Sequence, residues 1–220
     1  MDETNQRPGI RYNFEKSAPT IDTIAVEIPL QTSSEREDGK LYGTLMRTPG
    51  KDLELIIGLM ISSGDLLVDE EIPEIKIETN CVHVSIRKTN SERLIDSTSS
   101  CGICGRENVE ILPFPGYSSM PKIDIHEEII RKIINKIGDG QKLFDSTGGT
   151  HAAALWNLNG EMISIMEDVG RHNAFDKLVG HQRILGQWPM SNGVVSLSGR
   201  ISYEMVEKAI RSSVPILISV

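Results

Sequence analysis

Two cysteines three residues apart, Cys101 and Cys104, sit in "SSCGICGR" with glycines on both sides and Arg106 just behind. Thiols at this spacing can hold a metal, cycle through a disulfide, or carry a group on one sulfur. A structural zinc knuckle needs a second ligand pair. The rest of the chain offers Cys81, five histidines and many carboxylates, but no second CxxC. A catalytic Cys2His zinc would need one histidine more. A redox pair of the thioredoxin kind sits at a helix start after a strand, and "STSSCGICG" is too rich in glycine and serine to open a helix plainly. A carrier thiol needs reach, exposure and a nearby positive charge that favours the thiolate. The glycines give reach and Arg106 gives charge, so the carrier reading fits best. No metal site is assigned. The residues alone do not say which group is carried.

A second set of residues points to an anion. "Val169-Gly170-Arg171" and "Ser198-Gly199-Arg200" each read as the end of a strand, a Gly-Arg pair and the start of a helix. Exposed backbone N–H groups, the positive helix end and a guanidinium then meet in one place, which suits phosphate above all. A single such junction reads equally as a structural turn with a solvated arginine. Two of them, at strand C-terminal ends where open α/β sheets bind ligands, shift the balance toward a site. "DSTGGTHAAAL" adds Gly148 and Gly149, whose tandem allows close approach of a ligand to backbone, and His151 just after them. The plain alternative is a tight turn and a core histidine. Glu167, Asp168, Arg171 and His172 crowd the first junction, where Asp168 can cap the helix and pair with Arg171.

These residues need elements to position them. The start, "MDETNQRPGIRYNFEKSAPT", is polar, without an apolar export signal, and reads as a flexible arm over residues 1–20. Residues 21–30 and 40–47 read as strands. "TPGKDLELIIGLMISSG" reads as a helix capped by Thr48 and ended by Gly64. "IPEIKIET" and "CVHVSIRK" alternate as a hairpin that places Cys81 and His83 on one face, with Cys81 expected to be a buried thiol. Residues 89–121 form a long connection bearing the double cysteine. "DIHEEIIRKIINKIGDG" is a helix with Asp124 as cap and an isoleucine stripe. Beyond residue 145 the pattern is a hairpin with Asn159-Gly160 at its tip, then helix, strand, helix and strand, which predicts a parallel sheet segment. The organisation is thus an arm at 1–20, a β-rich lobe with the CxxC loop at 21–122, and an α/β core at 123–220.

The 220 residues carry a formal net charge of −8, which argues against a broad nucleic-acid surface. The longest apolar runs, such as Leu55 to Ile61, are too short to cross a bilayer. Three cysteines suit a reducing cytoplasm better than a disulfide framework.

"SSCGICGR", "TGGTHAAAL", "EDVGRHNAFDKLVG" and "SGRISYEMVEKAI", in that order, resemble the FdhD family of formate dehydrogenase accessory sulfurtransferases. The resemblance runs from about Ile24 to the last residue and includes "LMRTPGKDLELIIGLMISSGDL". It implies a cytidine deaminase-like α/β sandwich with a smaller N-terminal β-rich lobe, and a cytoplasmic homodimer. It implies a cysteine desulfurase as sulfur donor, a persulfide on Cys101 with Cys104 as helper, and transfer to the molybdenum bis-guanine-dinucleotide cofactor destined for formate dehydrogenase. Gly148, Gly149, His151, Asp168, Gly170, Arg171, His172, Gly199 and Arg200 would then line the cofactor, with GDP as its fragment. A deaminase's His-x-Glu is absent from "THAAA", which counts against zinc deamination. Relatives continue for about one more helix and strand, so a C-terminal truncation at Val220 is expected. The other classes of function are a zinc-dependent nucleotide hydrolase and a non-catalytic cofactor-binding chaperone.

Overall fold

The computed structural model of the chain describes residues 2–14, 16–35, 39–86 and 122–219. Cys101, Cys104 and Arg106 lie outside the described residues. The first part contains β1 (Thr4–Asn13), β2 (Lys16–Ala25), β3 (Ile28–Ser34), β4 (Lys40–Arg47), α1 (Asp52–Ser63), β5 (Ile75–Glu78) and β6 (Cys81–Val84). The second contains α2 (Glu127–Lys136), α3 (Lys142–Thr147), β7 (His151–Trp156), β8 (Met162–Asp168), α4 (Arg171–Ile184), β9 (Val194–Leu197), α5 (Tyr203–Arg211) and β10 (Ile216–Ser219). The strands form a two-stranded ribbon, β1-β2, and two four-stranded sheets, β4-β3-β6-β5 and β10-β9-β7-β8.

The second sheet contains the expected parallel segment, though a short one. Only β9 and β10 are parallel neighbours; β7 lies between β8 and β9 and runs antiparallel to both. The α4 crossover therefore steps over β7. The C-terminal ends of β8 and β9 and the start of β7 consequently share one sheet edge. Alternation then sorts the side chains by face. Ala153, Leu155, Val195 and Leu197 join a large core with α1, α4 and the first sheet, whereas Ala154, Trp156 and Val194 join Ile133 of α2 on the other side. α1 and α4 thus lie between the sheets, and α2 covers the outer face of the second.

Helices α1 and α4 meet backbone to backbone. A Cβ added to Gly58 would lie 1.8 Å from the carbonyl oxygen of Asp176, and one added to Gly180 would lie 1.9 Å from that of Glu54. No side chain fits at either position. Gly64, at φ 79°, ends α1 as expected, because only glycine adopts that left-handed conformation without strain.

Other expectations are corrected. Residues 4–25 form the β1-β2 hairpin, so the stretch expected as a flexible arm, 1–20, holds β1 and the first half of β2, and the strand expected over 21–30 is divided between β2 and β3. Lys51, not Thr48, is the N-cap of α1, and the Thr48 side chain is used elsewhere. Helix α2 starts at Glu127 with His126 as cap, so Asp124 lies outside it. Cys81 is half-buried rather than buried, because Val82 and Val84 take the core face of β6. No described helix is long and apolar enough to cross a membrane.

Replacing Gly58 with Ala should destabilise the protein by at least about 3 kcal/mol, since the helices would have to separate. Gly138→Ala, where an added Cβ meets nothing within 4 Å, is the control and should stay within about 0.5 kcal/mol of the parent. Urea unfolding of the three proteins measures both.

Candidate functional site

At the shared edge, β8 ends at Asp168, Gly170 caps α4, and Arg171 is the first residue of that helix. The first-turn N–H groups of α4 have no helical acceptors to point at, as at any helix start. Arg171 is half-buried there. One strand away, His151 opens β7 with its Nδ1 3.3 Å from the Ser198 hydroxyl. Ser198 Oγ accepts from the Ala152 N–H at 2.8 Å, so its own proton can go to His151 Nδ1. The imidazole then carries its proton on Nε2. Gly199 closes the group. A Cβ there would lie 3.2 Å from His151 Nδ1 and 3.5 Å from Arg171 Cδ, so a side chain would wedge between ring and guanidinium stem. The structure therefore brings His151, Gly170, Arg171 and Gly199 together.

The two Gly-Arg junctions are not equivalent. Helix α5 starts at Tyr203 with Ser202 as cap, so Arg200 precedes the helix instead of opening it, and it is exposed. Gly148 ends α3 at φ 65°, and Gly149 packs where an added Cβ would lie 3.5 Å from Ala25 of β2. Glu167 ties this turn to β8. It accepts the Leu143 and Phe144 N–H groups at 2.9 and 2.7 Å and the Thr150 hydroxyl at 3.1 Å.

Asp168 does not pair with Arg171. Its carboxylate is fully buried and saturated with internal donors. One oxygen accepts from Lys177 Nζ at 2.8 Å and from the Thr48 N–H at 3.1 Å. The other accepts from the Gly170 N–H at 2.9 Å and Asn173 Nδ2 at 3.0 Å. Lys177 also donates to the Thr48 carbonyl at 3.0 Å, while the Thr48 hydroxyl accepts the Val169 N–H at 3.0 Å. Asp168 therefore holds the turn that presents Arg171, and its charge is spent within the protein. Asn173 and Lys177 were not singled out in the sequence, while Thr48 was read only as a helix cap and Ser198 only as a strand end. The true partners of Thr48 lie some 120 residues away, beyond any local signal.

Both histidines of the edge are pushed toward the neutral form. Burial lowers the pKa of His151, and the Arg171 charge lowers it further, with Asp168 opposing. Burial, Lys208 and Arg171 together push His172 down to about 3. Its 3.5 Å approach to Glu204 is accordingly that of a neutral ring. An anion at this edge would meet guanidinium, N–H groups and a neutral imidazole donor.

Two surface grooves of about 450 and 480 Å³ lie apart from this edge, along Pro29, Gln31, Glu78 and Cys81 and along Arg47, Gly50, Asp52 and Thr79. Neither includes a residue of the strand-end cluster. Among the described residues, no three His, Cys, Asp or Glu side chains gather in a metal-binding group.

Residues 25–220 match the FdhD/NarQ family. Among curated relatives, a protein of Streptomyces avermitilis named sulfur carrier protein FdhD is 33% identical, the match covering 99% of this chain and 83% of its own. One of the same name from Sulfolobus acidocaldarius is 40% identical, covering 91% of this chain and 78% of its own. The chain belongs to the FdhD/NarQ family. A solved structure described as a formate dehydrogenase accessory protein from Desulfotalea psychrophila superposes with a TM-score of 0.73 at 22% identity, over 99% of this chain and 83% of that one. That likeness shows a common fold. The "SSCGICGR" and "EDVGRHNAF" segments fall within the span matched to the family.

The depressed His172 pKa has a testable sign. The unfolded chain takes up a proton near pH 6.5 that the folded site refuses until about pH 3. Stability should therefore fall as pH drops through this window. The slope from His172 should be at most about 1.4 kcal/mol per pH unit. In His172→Asn that part of the slope should vanish. Unfolding free energies of both proteins at several pH values between 7 and 4 provide the check, and parallel slopes would contradict it.

Proposed function

We propose that this protein is a sulfur carrier that accepts sulfur from a cysteine desulfurase as a persulfide on Cys101. It then passes that sulfur to a molybdenum bis-guanine-dinucleotide cofactor bound as cargo, for use by formate dehydrogenase. The observation that carries the cargo half of the reading is the strand-end cluster. The start of α4, Arg171, a neutral His151 and the side-chain-free Gly199 converge on one edge. Such an arrangement suits a pyrophosphate. The sulfur half rests on the CxxC and on the names of the curated relatives.

The chemistry explains why two thiols are useful. The Cys101 thiolate attacks the terminal sulfur of the donor's persulfide, and the donor's own thiolate leaves. Handing that sulfur to a metal as sulfide takes two electrons. Cys104 can supply them by attacking the inner sulfur of Cys101, which expels hydrosulfide and closes a Cys101–Cys104 disulfide. A cellular thiol reductant reopens it. On this reading the chain is a cytoplasmic homodimer whose fold is related to the cytidine deaminase sandwich, with sulfur transfer in place of zinc chemistry.

After incubation with a cysteine desulfurase and cysteine, mass analysis should find one extra sulfur atom on the peptide that contains Cys101. Cys101→Ser should lack it and should fail to mature formate dehydrogenase. Maturation by a folded Cys101→Ser protein would overturn the carrier reading.

The cargo half has its own test, with GDP as the probe. Arg171→Ala should weaken GDP binding by roughly 10- to 150-fold, the worth of a charge-assisted hydrogen bond. Arg200→Ala, at an exposed position off the helix, should cost no more than about fivefold. Calorimetry on both folded variants decides. GDP binding unchanged in Arg171→Ala would mean that the junction is only a turn.

A further inference from the structure

The loop from α1 to β5 carries an apolar surface with an acidic rim. Residues 65–78 hold six carboxylates against one lysine, so this short stretch bears five of the chain's eight net negative charges. Leu67, Val68 and Ile72 stand among them, and each is more than a third exposed, whereas Leu66 turns into the core.

The exposure does not come from a loose loop. The Asp65 and Leu66 N–H groups donate to the Met60 carbonyl at 2.8 and 3.2 Å. The Leu67 N–H donates to the Glu70 carboxylate at 2.7 Å, and the Glu70 N–H donates to the Leu67 carbonyl at 3.2 Å. Arg183 Nη2 then donates to the Glu70 carbonyl at 2.6 Å, with its guanidinium 5.5 Å from the centre of the Trp188 ring. That bond joins the loop to the end of α4, where Ile184 and Leu185 are 42 and 53% exposed. Five large apolar side chains thus gather around one held turn, edged by Asp69, Glu70 and Glu71. An exposed apolar patch with a polar rim marks a protein interaction surface.

We propose that this patch docks the sulfur donor, through a donor surface whose apolar residues are ringed by lysine and arginine. The docking rests on the carrier reading. Charge selects the kind of partner, because the carboxylates repel a second copy of an acidic chain and draw a basic surface. Position selects which partner. Arg171 and Ile184 are the two ends of α4, fourteen residues or about 21 Å apart. A protein seated on the patch therefore leaves the strand-end cluster free for cargo. The loop also leads into β5, and the chain leaving β6 returns beside it, the Ser85 N–H donating to the Glu74 carbonyl at 2.9 Å. Cys101 follows Ser85 by sixteen residues in the sequence. A donor must meet Cys101 and has no use for the cargo edge, whereas a dehydrogenase that takes the cargo must approach that edge.

The test uses the full chain and the cysteine desulfurase of the same cell. Binding of the wild type should weaken as salt rises, by screening. Asp69→Lys/Glu71→Lys reverses two exposed rim charges and should weaken binding at least about tenfold, with a flatter salt dependence. Asp124→Lys/Asp139→Lys makes the same change of net charge at exposed positions flanking α2 and should stay within about twofold of the wild type. Mass analysis separates docking from chemistry. With glutathione persulfide as donor, whose thiolate leaves as Cys101 takes the outer sulfur, the rim variant should gain the same extra sulfur atom as the wild type. Salt-insensitive wild-type binding, a rim variant that binds like the wild type, or an equal loss in the flanking variant would each overturn the patch and leave the carrier reading standing. A wild-type chain that takes sulfur from neither donor would remove the carrier reading and the docking site with it.

Discussion

Helices can approach to backbone contact only where neither presents a side chain, and the middle of this molecule is built on such a contact. Gly58 of α1 lies against the carbonyl of Asp176, and Gly180 of α4 lies against that of Glu54. Because each glycine faces the other helix, the crossing point is set in both directions along both axes. α1 belongs to the part of the chain that builds the first sheet, and α4 crosses between β8 and β9 of the second. The pair therefore sets how the two sheets face each other. Asp176 also uses its side chain here, accepting from the Ser62 hydroxyl at 2.6 Å and pairing with Lys208 of α5.

The same helix pair places the start of α4 beside the turn that joins β4 to α1, and there the polar counterpart of the glycine contact forms. Asp168, Lys177 and Thr48 make a buried network across the two parts of the chain. Burying two charges is costly unless both are saturated with hydrogen bonds, and here the carboxylate has four donors. The network adds little net stability over an apolar packing of the same shape. What it supplies is orientation. A turn held at Asp168, Val169 and Gly170 has little freedom, so Arg171 projects from a fixed base. Preorganised donors of this kind bind an anion without first having to be ordered.

Much of the second half was legible in the sequence, because its signals are local. Asn159-Gly160 marked the hairpin tip, with Gly160 at φ 70°, and "TGGTH" marked the turn into β7. What failed was non-local. Thr48 has the look of a helix cap, but its hydroxyl serves Val169 while Lys51 takes the cap position. Two Gly-Arg pairs looked alike because sequence shows their neighbours and not the length of the loop before the helix; Arg200 and Ile201 separate Gly199 from the cap Ser202. The amino-terminal arm was misread because its apolar residues, Pro8, Ile10, Tyr12, Pro19 and Ile21, are sparse and alternate with polar ones. That pattern is a ribbon's, and its polarity alone resembles disorder. The gathering of His151 with Gly199 and Arg171 was foreseen in kind, but the reason for it, β7 inserted antiparallel between β8 and β9, was not.

That insertion has a consequence for how the chain comes off the ribosome. The strand-end cluster draws on Thr48, His151, Asp168, Arg171 and Gly199, and the last of these falls after nine tenths of the described chain has been made. The α4 crossover must step over β7 before β9 can dock beside it. Closing such long-range contacts is slow compared with forming a local hairpin or helix. A nascent chain therefore holds the β5-β6 hairpin and α1 well before it can assemble the strand-end cluster.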